Sequence, residues 1–200
     1  MSRPGYQKKC GVSHPLSRRT LLKSMLGVGV GLQFVGAAGG ATEELRKTRP
    51  QAGDSLVFSL GDRQGQLITL QDLPSGGPPV IAYPLEPGTQ TVRDGSRLNR
   101  VLLVRLVQED LAEPTRTVAA EGIVGYSAIC THTGCDVSGW KAETKHFVCP
   151  CHASEFDPKD RARIVGGPAP RPLAALPLQV VDGKVTVAGP FSGQVGASQK

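Results

Sequence analysis

Beyond residue 53 the apolar positions fall in short runs broken by polar, glycine and proline residues. The runs are Leu56–Leu60, Gln66–Leu70, Val80–Tyr83, Val101–Val107, Ile123–Ile129, His146–Val148, Leu178–Val181 and Lys184–Ala188. Each has strand length and is rich in β-branched or aromatic residues, the composition that packs well on a pleated surface. Asp182-Gly183 between the last two runs predicts a two-residue hairpin, because both positions of such a turn need positive φ. No 3.6-residue apolar period is sustained beyond residue 45, so the pattern predicts an all-β domain of short antiparallel strands. There is no internal repeat and no low-complexity run.

The first 50 residues read differently. Residues 24–42 carry no charge, and Glu43 and Glu44 follow them. Ahead of that stretch, Ser17-Arg18-Arg19-Thr20-Leu21-Leu22-Lys23 resembles the twin-arginine export signal, with Leu21 where the usual form has Phe. A basic region, an uncharged stretch and the small residues Ala37, Ala38 and Ala41 have the layout of a bacterial signal. That route exports proteins already folded to the periplasm. The alternative is an ordinary N-terminal helix with a chance Arg-Arg pair. Nineteen helical residues would span about 28 Å, just enough for a hydrocarbon core. Six of the nineteen are glycine, which weakens the span. Gly27 and Gly31 have the small-xxx-small spacing of a packed membrane helix, so cleavage of this segment and its retention as an anchor over residues 21–42 stay open. The expected organisation is a signal or anchor at 1–42, a polar linker at 43–53, one domain at 54–195 and a tail at 196–200.

Charge supports that division. The chain has a net charge of +6, but residues 1–50 hold nine Lys/Arg and two Asp/Glu, while the other 150 hold fourteen and fifteen. The body is near neutral and offers no basic patch for phosphates, which argues against nucleic acid as a partner. Glycine and proline number 25 and 16, in keeping with many turns.

Four of the five cysteines, Cys130, Cys135, Cys149 and Cys151, fall within 22 residues, while Cys10 stands alone in the signal region with His14. Such a cluster reads as a metal site or as disulfides. Two Cys and two His would also suit a tetrahedral zinc site. Zinc explains neither the Gly134-Cys135 and Cys151 positions nor the proline-rich segment downstream.

The segments Cys130-Thr131-His132-Thr133-Gly134-Cys135 and Cys149-Pro150-Cys151-His152-Ala153-Ser154 resemble the two loops of Rieske iron–sulfur proteins, C-x-H-x-G-C and C-P-C-H-x-S. The resemblance covers roughly residues 54–195. It implies a Rieske-type antiparallel β-sandwich with a small cluster-binding subdomain at about 126–173, and a 2Fe–2S cluster. Cys130 and Cys149 would bind one iron, and His132 and His152 the other. It further implies a disulfide between Cys135 and Cys151, favoured by an oxidising compartment. Gly166-Gly167-Pro168-Ala169-Pro170-Arg171-Pro172-Leu173 resembles the family's proline loop, so Gly167 and Pro168 would shield the cluster. Ser154 stands where a hydroxyl donates to a bridging sulfide. Phe156 stands where high-potential members have tyrosine, so one donor is kept and one lost. His146 and Trp140 read as structural residues, and Glu155 and Asp157 as a solvated rim.

Two electron-transfer settings fit. Ile123-Val124-Gly125-Tyr126-Ser127-Ala128-Ile129 and His152-Ala153-Ser154-Glu155-Phe156-Asp157-Pro158 look like the arsenite oxidase small subunit. The partners would then be a large molybdenum-containing catalytic subunit and, downstream, a c-type cytochrome. The alternative is the iron–sulfur subunit of a cytochrome bc complex, which takes electrons from quinol; a lone periplasmic carrier is a third reading. Phe156, the thirteen-residue spacer between Cys135 and Cys149, and Thr133 in place of an apolar leucine favour the first. In no reading does the chain turn over a substrate by itself.

Overall fold

The apolar runs pair into two antiparallel sheets in a computed structural model that describes residues 36–198, with side chains from Gly40 onward. Of the expected export signal at 1–42, residues 1–35, including Arg18 and Arg19, lie outside the described residues, while 36–42 belong to a helix that continues to Lys47. Clustering of contacts divides the chain after Gly39. Of the first unit only the opening of helix α1 (Gly36–Lys47) is described. Among the described residues no helix is long and apolar enough to cross a membrane.

The larger sheet contains β1 (Ser55–Phe58), β2 (Val80–Glu86), β3 (Thr91–Val92), β4 (Val101–Arg105), β5 (Ile123–Ser127), β10 (Ala175–Leu176), β11 (Leu178–Val181) and β12 (Lys184–Val187). Its order is β10-β5-β4-β2-β1-β12-β11, with β3 paired to β2. The smaller sheet is β6 (Gly139–Lys141), β7 (His146–Cys149), β8 (Ser154–Asp157) and β9 (Arg163–Gly166), in sequence order. A short helix, α2 (Glu113–Arg116), precedes β5. The hairpin between β11 and β12 turns on Asp182 and Gly183 at φ 51° and 74°, as its sequence predicts.

The larger sheet is buried on both faces, and alternation of side chains sorts its residues between two cores. Val101 and Leu103 of β4 and Ile123 of β5 join Leu56, Ile68, Leu73 and Val185 in one. Leu102, Val104, Val124 and Tyr126 join Phe147, Phe156, Cys130 and Cys149 in the other. This is why Val101–Val104 reads as an unbroken apolar run. The second core joins the sheets: the Tyr126 and Phe147 rings meet edge-on at 6.1 Å, and the Tyr126 hydroxyl donates to Pro158 O at 2.9 Å. Burial raises the Tyr126 pKa, so this hydroxyl stays a donor.

The expected linker and tail are drawn differently by the structure. Residues 43–47 belong to α1, and the segment after it is tied to the domain. Arg93 and Asp54 form a two-pronged buried ion pair at 2.7 and 2.9 Å. The Arg93 guanidinium also donates to Leu45 O, and Asn99 Nδ2 donates to Thr48 O at 2.9 Å. With Gly95 N–H on Arg46 O at 3.0 Å, these donors satisfy carbonyls that a helix C-terminus otherwise leaves bare. At the other end, Arg171 donates to Gln194 O and to Gly196 O, so the last described residues are held against the proline loop. The predicted run Gln66–Leu70 forms only isolated bridges, from Leu67 to Val57 and from Thr69 to Lys184, before the 3-10 turn Leu70–Asp72.

Candidate metal centre

Two loops bring the sulfur and imidazole groups together at the end of the smaller sheet. The first leaves β5 and closes on itself: Cys130 N–H donates to Cys135 O at 2.8 Å, and Gly134 N–H to Cys130 O at 3.1 Å. Gly134 sits at φ +81°, a conformation that L side chains rarely adopt. The second loop is the turn between β7 and β8, where Cys149 and Ser154 face one another in register. Ala153 within it holds φ +57°, a strained value for a residue with a side chain.

Cys130 and Cys149 are buried free thiols. Burial pushes the Cys149 thiol up; the N–H groups of Cys151 and His152 aim at its sulfur and pull the other way, and the neighbouring Cys130 thiol adds to the rise. The His132 and His152 rings meet edge to face with centroids 4.6 Å apart. His132 is half-buried and His152 exposed. Cys135 and Cys151, one from each loop, form a disulfide with Cα atoms 6.5 Å apart. Its sulfurs lie within 4.8 Å of Cys149 Sγ, but being bonded to each other they offer no thiolate to a metal.

Two atoms test whether a cluster fits. His132 Nδ1 and Ser154 Oγ are buried without a hydrogen-bond partner. An orphaned polar atom in a protein interior costs about 1–3 kcal/mol, so two such atoms beside two buried thiols call for a group that engages them. A centre with two thiolate and two imidazole ligands and sulfide acceptors meets that demand. A mononuclear zinc would leave the Ser154 hydroxyl unused.

The proline loop covers a third side. Thr131 Oγ1 donates to Arg171 O at 2.6 Å, joining it to the first loop. Gly167, at φ +78°, presses on the second: a Cβ there would lie 2.5 Å from Ser154 Cα and 2.6 Å from Ala153 O. Pro168 and Thr133 are exposed, while Phe156 is buried opposite Phe147. Trp140 packs on Phe147 at 5.6 Å.

Glu155 and Asp157, expected on a solvated rim, are instead built into the fold. Glu155 accepts from Lys141 and pairs with His146 Nδ1 at 2.7 Å, and these two neighbours hold its carboxyl below the usual range. Asp157 is buried and accepts from Lys159 N–H at 3.0 Å. Sequence reasoning missed Thr131 and the Arg171 carbonyl as the joint between the loops. The only signal in the sequence was the threonine between Cys130 and His132.

Residues 97–177 match the Rieske [2Fe-2S] domain family. The chain is 35% identical over 179 residues to a Haloferax mediterranei protein named as a Rieske subunit of respiratory nitrate reductase, covering 82% of this chain and 77% of that one. It is 40% identical over 98 residues to the cytochrome bc1 complex Rieske iron-sulfur subunit of Streptomyces lividans, covering 48% of this chain and 58% of that protein. Among solved structures it resembles the soluble domain of Rieske protein II from Sulfolobus acidocaldarius, at 24% identity and a TM-score of 0.36, over 48% of this chain and 66% of that one. On its match to the nitrate reductase relative over most of that protein's length, the chain belongs to the Rieske iron–sulfur family, whose domain binds a 2Fe–2S cluster and transfers electrons.

Proposed function

We propose that this chain is the electron-transfer subunit of an exported respiratory oxidoreductase, with Cys130 and Cys149 holding one iron of the cluster and His132 and His152 the other. The observation that carries the reading is the meeting of two buried thiols, two edge-to-face imidazoles and the orphaned His132 Nδ1 and Ser154 Oγ at one place. When bound, the cluster supplies one-electron transfer at a potential raised by the exchange of two thiolates for neutral imidazoles.

The chain's own groups set the conditions. Ser154 Oγ, buried and without a protein partner, would donate to a bound cluster and favour its more negative state. Phe156 contributes no such donor. Cys135–Cys151 and the Thr131–Arg171 link hold the loops closed, and the exposed Pro168 and Pro170 next to them have no N–H to donate. The exposed His152 presents an imidazole edge to a partner.

A separate catalytic subunit, as in the arsenite-oxidase-like reading, is supported by the sequence of β5 and of the second loop, by Phe156, and by the similarity to a nitrate reductase Rieske subunit over 77% of its length. A place in a bc complex is favoured by the 40% identity to the Streptomyces subunit, which is confined to 98 residues.

Purification of the tagged full chain from its host tests both. The expected product contains two irons and two acid-labile sulfides, shows a low-average-g EPR signal when reduced, and co-purifies with a molybdenum-containing subunit. Replacing His132 or His152 abolishes that signal. An unchanged spectrum in either variant refutes the ligand assignment, and co-purification with a cytochrome b refutes the first setting. Arg18→Lys with Arg19→Lys traps the protein in the cytoplasm, whereas normal export would refute the signal.

A further inference from the structure

Beside the first loop lies an open groove of about 470 Å³ that the cluster chemistry does not use. One wall is Thr133 and Gly134, immediately after His132. Leu98, Ile129, Phe191 and Val195 give it an apolar floor, and Arg49 and Arg97 stand on its lining. Among the described residues no carboxylate lines it. Among the described residues Arg49 has no acidic partner; its guanidinium donates to Leu98 O at 2.8 Å. Arg97 shares the single carboxylate of Asp136 with Arg100, at 2.7 and 2.6 Å. Arg49, without an acidic partner, and Arg97, which has only a share in one carboxylate, leave an excess of positive charge beside an apolar trough that starts one residue from His132.

We infer that this groove seats an extended segment of the partner redox protein that presents a carboxylate to Arg49 and Arg97 and an apolar side chain to Phe191 and Ile129. The inference rests on the electron-transfer reading above and adds to it the chemistry of the contacting surface. Charge complementarity carries the choice: a basic segment would be repelled by Arg49 and by an Arg97 that only shares the Asp136 carboxylate, while an acidic one supplies the counter-charge that Arg49 lacks. Seated there, the partner touches Thr133, one residue from His132, so a short path for the electron and the docking contact coincide. Opposite surface charge also speeds encounter, more so at low salt.

The test uses the full chain with its cluster, expressed in its own host. A photo-cross-linking amino acid at Ala197, on the groove wall, is irradiated in cells, and the product is mapped by mass spectrometry. The expected product joins Ala197 to a redox protein through a peptide containing Asp or Glu. Arg49→Glu with Arg97→Glu lowers its yield about tenfold or more, while the EPR signal of the cluster is unchanged. Arg49→Gln alone, which breaks no ion pair, lowers the yield several-fold and serves if the double variant folds poorly. A cross-link to residues 198–200 or to a second copy of this chain would overturn the proposal, as would a yield indifferent to both variants. Small oxidants give an independent reading on purified protein. Hexacyanoferrate(III) should oxidise the reduced cluster several-fold more slowly in Arg49→Gln at low ionic strength, and the cationic tris(phenanthroline)cobalt(III) should not. Equal rates of hexacyanoferrate oxidation in the variant and the native protein would contradict a positive field at the groove. Loss of the EPR signal in the native chain would instead refute the electron-transfer reading.

Discussion

Alanine at Gly167 and alanine at Gly134 differ in one respect, and that difference isolates what the proline loop does. Both glycines sit at nearly the same φ, +78° and +81°. A Cβ at Gly134 would meet nothing within 4 Å, so Gly134→Ala carries only the conformational cost of a left-handed residue, about 1–2 kcal/mol. A Cβ at Gly167 would sit 2.5–2.7 Å from Ser154 Cα, Ala153 O and Ser154 N. All three are backbone atoms of the second loop, which cannot rotate aside, so the two loops must part. Overpacking of that kind costs about 1–3 kcal/mol more, for a total of about 2–5 kcal/mol. At about 3 °C per kcal/mol for a protein of this size, Tm falls by roughly 3–6 °C for Gly134→Ala and roughly 6–15 °C for Gly167→Ala. Calorimetry of the cluster-loaded proteins measures the difference. Bleaching of the visible absorbance at a fixed mild temperature should be faster in Gly167→Ala alone. Equal Tm shifts with equal bleaching rates would refute the close approach of the loops.

Ser154→Ala removes a buried donor and should lower the reduction potential, while Phe156→Tyr should raise it. A net hydrogen bond of 0.5–1.5 kcal/mol corresponds to about 20–60 mV for one electron, and protein-film voltammetry resolves either sign. An unchanged potential in Ser154→Ala would mean that its hydroxyl donates elsewhere. Arg93→Met leaves Asp54 buried and uncompensated, which costs about 3–5 kcal/mol in a urea titration. A loss below 1 kcal/mol would show that the pair is open to water. Arg63, at 2.6 Å, holds the Asp72 carboxyl down to about 2, helped by the Thr69 N–H and hydroxyl. Unfolded aspartate titrates at about 3.9, so this contribution is whole above pH 4 and is lost as pH falls toward 2. Arg63→Gln should move that acid limb to higher pH, and superimposable stability curves between pH 2 and 5 would contradict the pairing.

What the chain declares openly is local. The two cysteine- and histidine-containing motifs are contiguous in sequence and each folds as one loop, so the pairing of Cys135 with Cys151 across them was legible before any coordinate. The β4 run was legible because burial on both faces leaves its apolar stretch unbroken. Ser154–Asp157 and Arg163–Gly166 escaped notice, since Ser-Glu-Phe-Asp and Arg-Ile-Val-Gly mix charges with apolar residues. Glu155 is accommodated in β8 by its ion pair with Lys141 and its hydrogen bond with His146, 14 and 9 residues away in sequence. Gln66–Leu70 had strand composition, but Asp72 captures the Thr69 N–H and hydroxyl at 2.8 Å and turns the chain into a 3-10 turn. The supposed linker misled for the same reason. Its polar composition said nothing of Arg93 and Asn99, which donate to its carbonyls from about 50 residues downstream.

That clamp fixes the length of the leash. Eleven free residues at 43–53 would reach about 36–40 Å when extended, enough for a carrier to swing between a donor and an acceptor. In this chain that slack is taken up by the last turn of α1, by Arg93 and Asn99 on the carbonyls behind it, and by Asp54 at the start of the sheet. No pivot is left between Leu45 and Asp54. From Leu45 onward the helix end is bonded to the start of the large sheet and to the segment around Arg93 and Asn99. Donor and acceptor must therefore both come within reach of a station that does not swing on residues 45–54.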